Sequence, residues 1–212
     1  MSDASSPEEH ETIPAANAPL RLGVLVSGAG RTLGNLIDRI TAGALSARVA
    51  VVVSSRPDVG GVAIAERAGI PVHVLPPRGR PLAAWSDEVF AACREARADL
   101  VVMAGFLHLV EIPGDFAGRV INIHPSLLPA FGGKGFHGIR VHQAVLDRGC
   151  TVSGCTVHEV DGEYDQGRIL LQKPVPVLPD DTPESLAARV FAAECETLPA
   201  VIAAIAAGTK AH

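Results

Sequence analysis

Apolar and polar positions change period along this chain. From Leu20 the run LRLGVLVSG is apolar and ends in glycine. ARVAVVVSS (Ala47–Ser55), IPVHVL (Ile70–Leu75), DLVVMAG (Asp99–Gly105) and RVINIH (Arg119–His124) repeat the theme. Short apolar runs bounded by Gly, Pro or Ser fit strands covered on both faces. Between them, Leu33–Ala42, Val59–Ala68 and Leu82–Arg97 carry apolar residues at helical spacing. Strands alternating with helices of about ten to fifteen residues predict βαβ units and a parallel sheet.

After Pro129 the pattern changes. AFGGKGFHG is a glycine-rich loop, Val141–Arg148 a short helix, and Thr151–Val160 and Arg168–Leu178 are long β-rich runs. The linker EVDGEYDQG between those runs is too long and too acidic for a tight hairpin, and is expected to be mobile. Thr182–Ala207 closes the chain as an Ala-rich helix, with Asp181 or Thr182 as N-cap and Pro183 in the first turn. The expected class is α/β: an open, mostly parallel twisted sheet with a Rossmann-like N-terminal half, an antiparallel β-rich C-terminal part and a closing helix. Residues 1–18 are polar and acidic and read as a disordered tail; residues 19–212 read as one domain.

Composition then narrows the partners. Of 212 residues 48% are hydrophobic and only 4% aromatic, so Ala, Val, Ile and Leu must build the core. The net charge of -5 lacks the basic face of a general nucleic-acid binder. No stretch approaches the roughly 18 apolar residues of a membrane span, and MSDASSPEEHE does not read as a signal peptide. Cys93, Cys150, Cys155 and Cys195 form no CxxC pair, which fits free thiols and a cytoplasmic protein. The eight histidines show no HxxxH or HExxH spacing, so no metal site is expected, and the absence of a G-x-S-x-G elbow disfavours Ser126 as a hydrolase nucleophile.

Two segments point to chemistry. Ser27–Thr32 (SGAGRT) joins the first strand to the first helix, where glycines let backbone N–H groups turn toward an anion and Arg31 adds a charge. It matches neither the dinucleotide fingerprint nor the P-loop. In RVINIHP, Asn122 and His124 stand two apart at a strand end and project to the same face, roughly 7 Å apart. An amide N–H can stabilise the oxyanion of an acyl or formyl transfer, and an imidazole can donate or shuttle the proton. A carboxylate is wanted beside such a histidine. Asp161, Glu163 and Asp165 are available, and Asp165, just before the next strand, has the most fixed position.

The motifs SGAGRTLGNLI, AGFLHLVEIP, INIHPSLLPAFGGKG, VSGCTVHEVDGEYDQGRILLQKPVPV and TPESLAARVFAAECETLP, running from Arg21 to about Ala207, resemble the phosphoribosylglycinamide formyltransferase family. The resemblance implies a folate-dependent enzyme of purine synthesis that moves a formyl group from 10-formyltetrahydrofolate to glycinamide ribonucleotide. It implies small-molecule substrates, no nucleic-acid or membrane partner, no metal, and a monomer or homodimer. By motif, Asn122 would bind the formyl oxygen, His124 would donate a proton, and Asp165 would keep His124 protonated. Gly30, Arg31 and Thr32 would hold the phosphate and Glu194 would contact the ribonucleotide. Leu107, His108, Leu109 and Val110, together with Asn122, Asp161, Gly162, Glu163 and Asp165, would line the folate pocket.

Six positions depart from the pattern common in that family. Ala29, Arg31 and Thr32 replace Asn, Ser and Asn; His108 replaces an arginine near the folate; Ser153 replaces a histidine; and Phe191 stands where a polar contact to the substrate is frequent. These departures leave room for two other readings: a formyltransferase for another phosphorylated amine, such as a nucleotide amino sugar, or a non-catalytic nucleotide-binding module.

Overall fold

A computed structural model describes residues 18–209; the tail expected over residues 1–18 lies, but for Ala18, outside them. Seven strands form one sheet: β1 (Leu20–Val26), β2 (Ala47–Ser54), β3 (Val72–Val74), β4 (Leu100–Met103), β5 (Val120–His124), β6 (Val152–Glu159) and β7 (Ile169–Pro176). Five helices accompany it: α1 (Arg31–Thr41), α2 (Gly60–Arg67), α3 (Leu82–Glu95), α4 (Ile139–Asp147) and α5 (Pro183–Ala206).

The sheet order is β3-β2-β1-β4-β5-β6-β7. β1 to β5 pair in parallel, whereas β6 runs antiparallel to β5 and β7 antiparallel to β6. The expected parallel half and antiparallel addition are both present. β6 and β7 do pair across the long acidic linker, as a hairpin with an irregular loop in place of a tight turn. Strand order reverses between β1 and β4, and in open α/β sheets ligands bind outside the carboxyl ends at such a switch point.

Alternation within the strands sends side chains to two layers. Leu22, Val24 and Val26 of β1 join Leu33 and Leu36 of α1 and Leu198, Val201 and Ile202 of α5 on one face. Leu25, with Val51 and Val53 of β2, meets Trp85, Val89 and Phe90 of α3 on the other. A third cluster, Val145, Cys155, Val175, Leu186, Val190 and Ala193, seals α4 and α5 against the antiparallel strands. The N-cap of α5 is Thr182: its side chain accepts from the Ser185 N–H, and Ser185 Oγ accepts from the Thr182 N–H. Helix α1 begins two residues earlier than its apolar spacing suggests, because Gly30 in the left-handed region (φ 74°) ends the preceding turn.

Candidate active site

The carboxyl ends of β1, β4 and β5 open into a cavity of about 690 Å³, within the range of sites that bury a drug-sized ligand. At one end four polar side chains converge. Asn122 and His124 lie on β5, and the antiparallel register sets Asn122 opposite His158 of β6. The Asn122 amide donates from Nδ2 to His158 Nε2 at 3.1 Å and lies 3.5 Å from Asp165 Oδ1. His158 donates its Nδ1–H to the Glu159 carbonyl (2.7 Å), which leaves Nε2 as the acceptor the amide needs. His124 donates its Nε2–H to the Phe131 carbonyl (2.9 Å), so its Nδ1 faces Asp165 Oδ2 at 3.4 Å.

Asp165 is held from three sides. Its Oδ2 accepts the Gly133 N–H at 2.8 Å, Oδ1 stands 3.5 Å from His158 Nε2, and its backbone adopts φ 57°, a conformation Asp tolerates better than most residues. Two residues on, a Cβ on Gly167 would meet the Glu159 carbonyl oxygen at 1.8 Å. A Cβ on Gly132 would meet Leu128 Cδ2 at 2.5 Å and the Asp165 Cβ at 3.3 Å. The loop expected to be mobile is therefore pinned at its Asp165 end, while Asp161, Glu163 and Tyr164 remain exposed. Thr156 fixes the chain below His124: its hydroxyl donates to the Ser126 carbonyl (2.7 Å) and accepts from the Leu128 N–H and Gln172 Nε2.

Burial sets the protonation of this end. It pushes the His124 imidazolium below the ordinary value near 6.5, and the Asp165 charge and the Phe131 carbonyl counter it only in part. Desolvation acts against the charged imidazolium, and the Asp165 carboxylate acts to keep it charged. For Asp165 the balance goes the other way. Burial raises its carboxyl, yet its polar surroundings, the Gly133 N–H among them, hold it below its ordinary value, so it is ionised.

The opposite end is built around α1. Gly30 caps the helix without a side chain, and the first helical bond runs from the Gly34 N–H to the Gly30 carbonyl. The N–H groups of Arg31, Thr32 and Leu33 therefore lie outside the ladder, where a helix N-terminus favours an anion. A Cβ on Gly30 would meet Gly61 Cα at 2.4 Å, so this turn packs backbone to backbone on α2. Arg31 and Thr32 line the cavity together with Phe191 and Glu194 of α5. The Arg31 guanidinium sits 3.7 Å from the Phe191 ring centroid. Burial pushes the Glu194 carboxyl up to about 7, with Arg31 acting to lower it.

Between the two ends, Phe106, Leu107, His108, Leu109 and Val110 form a largely apolar wall. His108 stands edge-on to Trp85 and Phe106, and partial burial lowers its basicity. Ser27 ties this wall to the α1 turn: its hydroxyl accepts from the Leu107 N–H at 3.2 Å and lies 2.8 Å from Ser55 Oγ.

Of the residues singled out in the sequence, Arg31, Thr32, Leu107 to Val110, Asn122, His124, Glu163, Asp165 and Glu194 all line one cavity. Gly30 stands behind it as the cap. Asp161 and Gly162 do not line it. Asp161 turns back to accept the Glu163 N–H (3.1 Å) and faces a smaller hollow beside Ile112 and Arg168. Sequence reasoning passed over His158, His142 and Phe131. His158 lies on β6 in the quoted TVH motif, but only the β5–β6 register brings it to Asn122. Buried His142 of α4 lines the same cavity, and its Nδ1 has no hydrogen-bond partner among the described residues. The Ser126 hydroxyl donates to the Ala130 carbonyl (2.6 Å), as expected of a turn residue and not of a nucleophile. No cluster of metal-ligating side chains occurs among the described residues.

Residues 20–202 match the family model described as formyl transferase. The chain belongs to the formyl transferase family. Among curated members, this formyl transferase is 43% identical over 189 residues to the chloroplastic phosphoribosylglycinamide formyltransferase of Arabidopsis thaliana, covering 87% of this chain and 65% of the relative. It is 34% identical to phosphoribosylglycinamide formyltransferase of Haemophilus influenzae, covering 86% of this chain and 85% of that one. The crystal structure of glycinamide ribonucleotide transformylase 1 from Symbiobacterium toebii superposes with a TM-score of 0.83 at 37% identity, covering 94% of this chain and 93% of the other. The formyl transferase described here thus spans about two thirds of its plant relative's length.

Proposed function

We propose that this formyl transferase moves a formyl group from 10-formyltetrahydrofolate to the primary amine of glycinamide ribonucleotide. The observation that carries the reading is the convergence of Asn122, His124, His158 and Asp165 at one end of a cavity whose other end holds the bare α1 N-terminus, Arg31 and Glu194. The names of the relatives favour this acceptor over an amino sugar, and an intact set of Asn122, His124 and Asp165 argues against a non-catalytic module.

The cavity suits a long, flat co-substrate: its middle wall is apolar and its closed end polar. The bound folate supplies the activated formyl group. Asn122 turns an amide N–H toward the formyl oxygen, where negative charge grows as the amine attacks. His158 accepts the other amide hydrogen and so fixes which way the amide points. His124, with its Nε2–H on the Phe131 carbonyl and its Nδ1 beside Asp165, serves as proton donor and shuttle as the amine adds to the formyl carbon. Its charged form is stabilised by ionised Asp165, and the proton that the amine gives up passes to the folate nitrogen as the bond from that nitrogen to the formyl carbon breaks. Arg31, Thr32 and the α1 amides take the phosphate, and Glu194 contacts the ribonucleotide.

A cytoplasmic location belongs to the same reading. It is supported by the free cysteines and by the absence, among the described residues, of any helix long and apolar enough to cross a membrane. The test of function is direct. Purified protein is mixed with 10-formyltetrahydrofolate, with and without glycinamide ribonucleotide, and formyl loss and formylated product are followed. Acceptor-dependent transfer is expected; formyl loss without acceptor, or turnover only with an amino sugar, overturns the assignment.

A further inference from the structure

Arg31 and Phe191 are far apart in the sequence, and in the structure they touch. Arg31 is the first residue of α1, Phe191 belongs to α5, and the guanidinium carbon lies 3.7 Å from the ring centroid. Ala187, Phe191 and Glu194 recur four and three residues apart, so one face of α5 looks into the cavity. Among the described residues Arg31 forms no ion pair, although Glu194 is near enough for each to feel the other's charge.

We propose that Phe191 is a positioning residue that holds the Arg31 guanidinium over the α1 N-terminus, where it grips the phosphate monoester of the acceptor. This rests on the proposed function. The five N–H donors of a guanidinium lie in its plane. Stacking on a ring occupies one face and leaves every edge donor open to a phosphate. A free arginine side chain gives up much rotamer freedom when it grasps an anion. Here the ring settles the side chain beforehand. The cation comes from the facing helix, and the aromatic side chain at 191 is its support. A lysine at position 31 would carry the charge but would neither stack flat nor bind two oxygens at once.

Steady-state kinetics on the full chain test the proposal, varying ribonucleotide and folate separately. Arg31→Ala is expected to raise the ribonucleotide KM about 10-fold. Phe191→Ala and Phe191→Leu should each raise it roughly 3- to 10-fold, with the folate KM and kcat within about 2-fold, while Phe191→Trp keeps it near wild type. The double variant Arg31→Ala/Phe191→Ala should be no worse than Arg31→Ala alone, since the ring acts only through the cation. If Phe191→Leu, which preserves packing without a π face, matches wild type, or if the two effects multiply, the proposal falls. A second arm needs no turnover. Inorganic phosphate should raise the thermal midpoint of wild type and Phe191→Trp, and raise it less in Phe191→Leu and Arg31→Ala. A phosphate effect without formyl transfer to glycinamide ribonucleotide would sink the acceptor assignment alone. Equal phosphate effects in all four proteins would sink the role of Phe191.

Discussion

At the Asn122 end of the cavity each polar group is tied to something: two imidazoles to backbone carbonyls, an amide to an imidazole, a carboxylate to a backbone N–H. At the Arg31 end the cation is exposed, rests on a ring and forms no ion pair among the described residues. In the proposed reaction the first end has to present a few atoms in one arrangement and to hold a proton between groups, and it is buried and clamped. The second end has, in the same reaction, only to hold an anion, which tolerates a longer and more adaptable donor.

The sharpest way to break this contrast is at the clamped end. His124→Ala and Asp165→Asn should each lower kcat at least ~10²-fold while leaving the ribonucleotide KM nearly unchanged. If either variant mainly raised KM, the two ends would not be divided as described. Gly167→Ala addresses the clamp itself. Its Cβ has no room against the Glu159 carbonyl, so urea unfolding should show a loss of about 2–3 kcal/mol. Turnover should fall with it, because Asp165 sits two residues away; wild-type kcat would show that the clamp is not what aims Asp165. Thr156→Val removes a buried hydroxyl serving three partners and should cost about 1–3 kcal/mol, with a smaller effect on kcat.

The smallest effect is expected at the adaptable end, in the pH dependence of stability. Glu194 is held above the ordinary carboxyl range, at about 7, so the fold favours its neutral form. The stability this contributes is complete below the ordinary carboxyl pKa and is lost as pH rises through about 7. Between pH 5 and pH 8 the wild type should therefore lose on the order of 1 kcal/mol more than Glu194→Gln. Identical pH profiles would mean that Glu194 is ionised in the fold throughout.

The parallel half was legible in the sequence because buried strands announce themselves as apolar runs cut short by Gly or Ser, and each such run became a strand. Asn122, His124 and Asp165 were legible for a related reason: a strand end fixes where its side chains point. What stayed hidden depends on pairing between distant segments. His158 reaches Asn122 only through the register of β5 with β6. The Phe131 carbonyl reaches His124 only because a loop folds back, and Phe191 finds Arg31 across two helices. The tightness at Gly167 was equally invisible, since a glycine that allows a turn and one that leaves no room for a methyl look alike in a sequence.

The Ser27 hydroxyl has a consequence for anyone who would redesign this protein. The oxygen that receives the Leu107 N–H belongs to the turn that leads into α1. The wall proposed to face the formyl donor and the turn proposed to face the phosphate therefore share a fastening. Grafting residues 105–110 from a relative to change donor preference would import a segment cut to fit another turn. Such a graft should carry residues 27–32 with it, and the two halves of specificity would then be exchanged as one cassette.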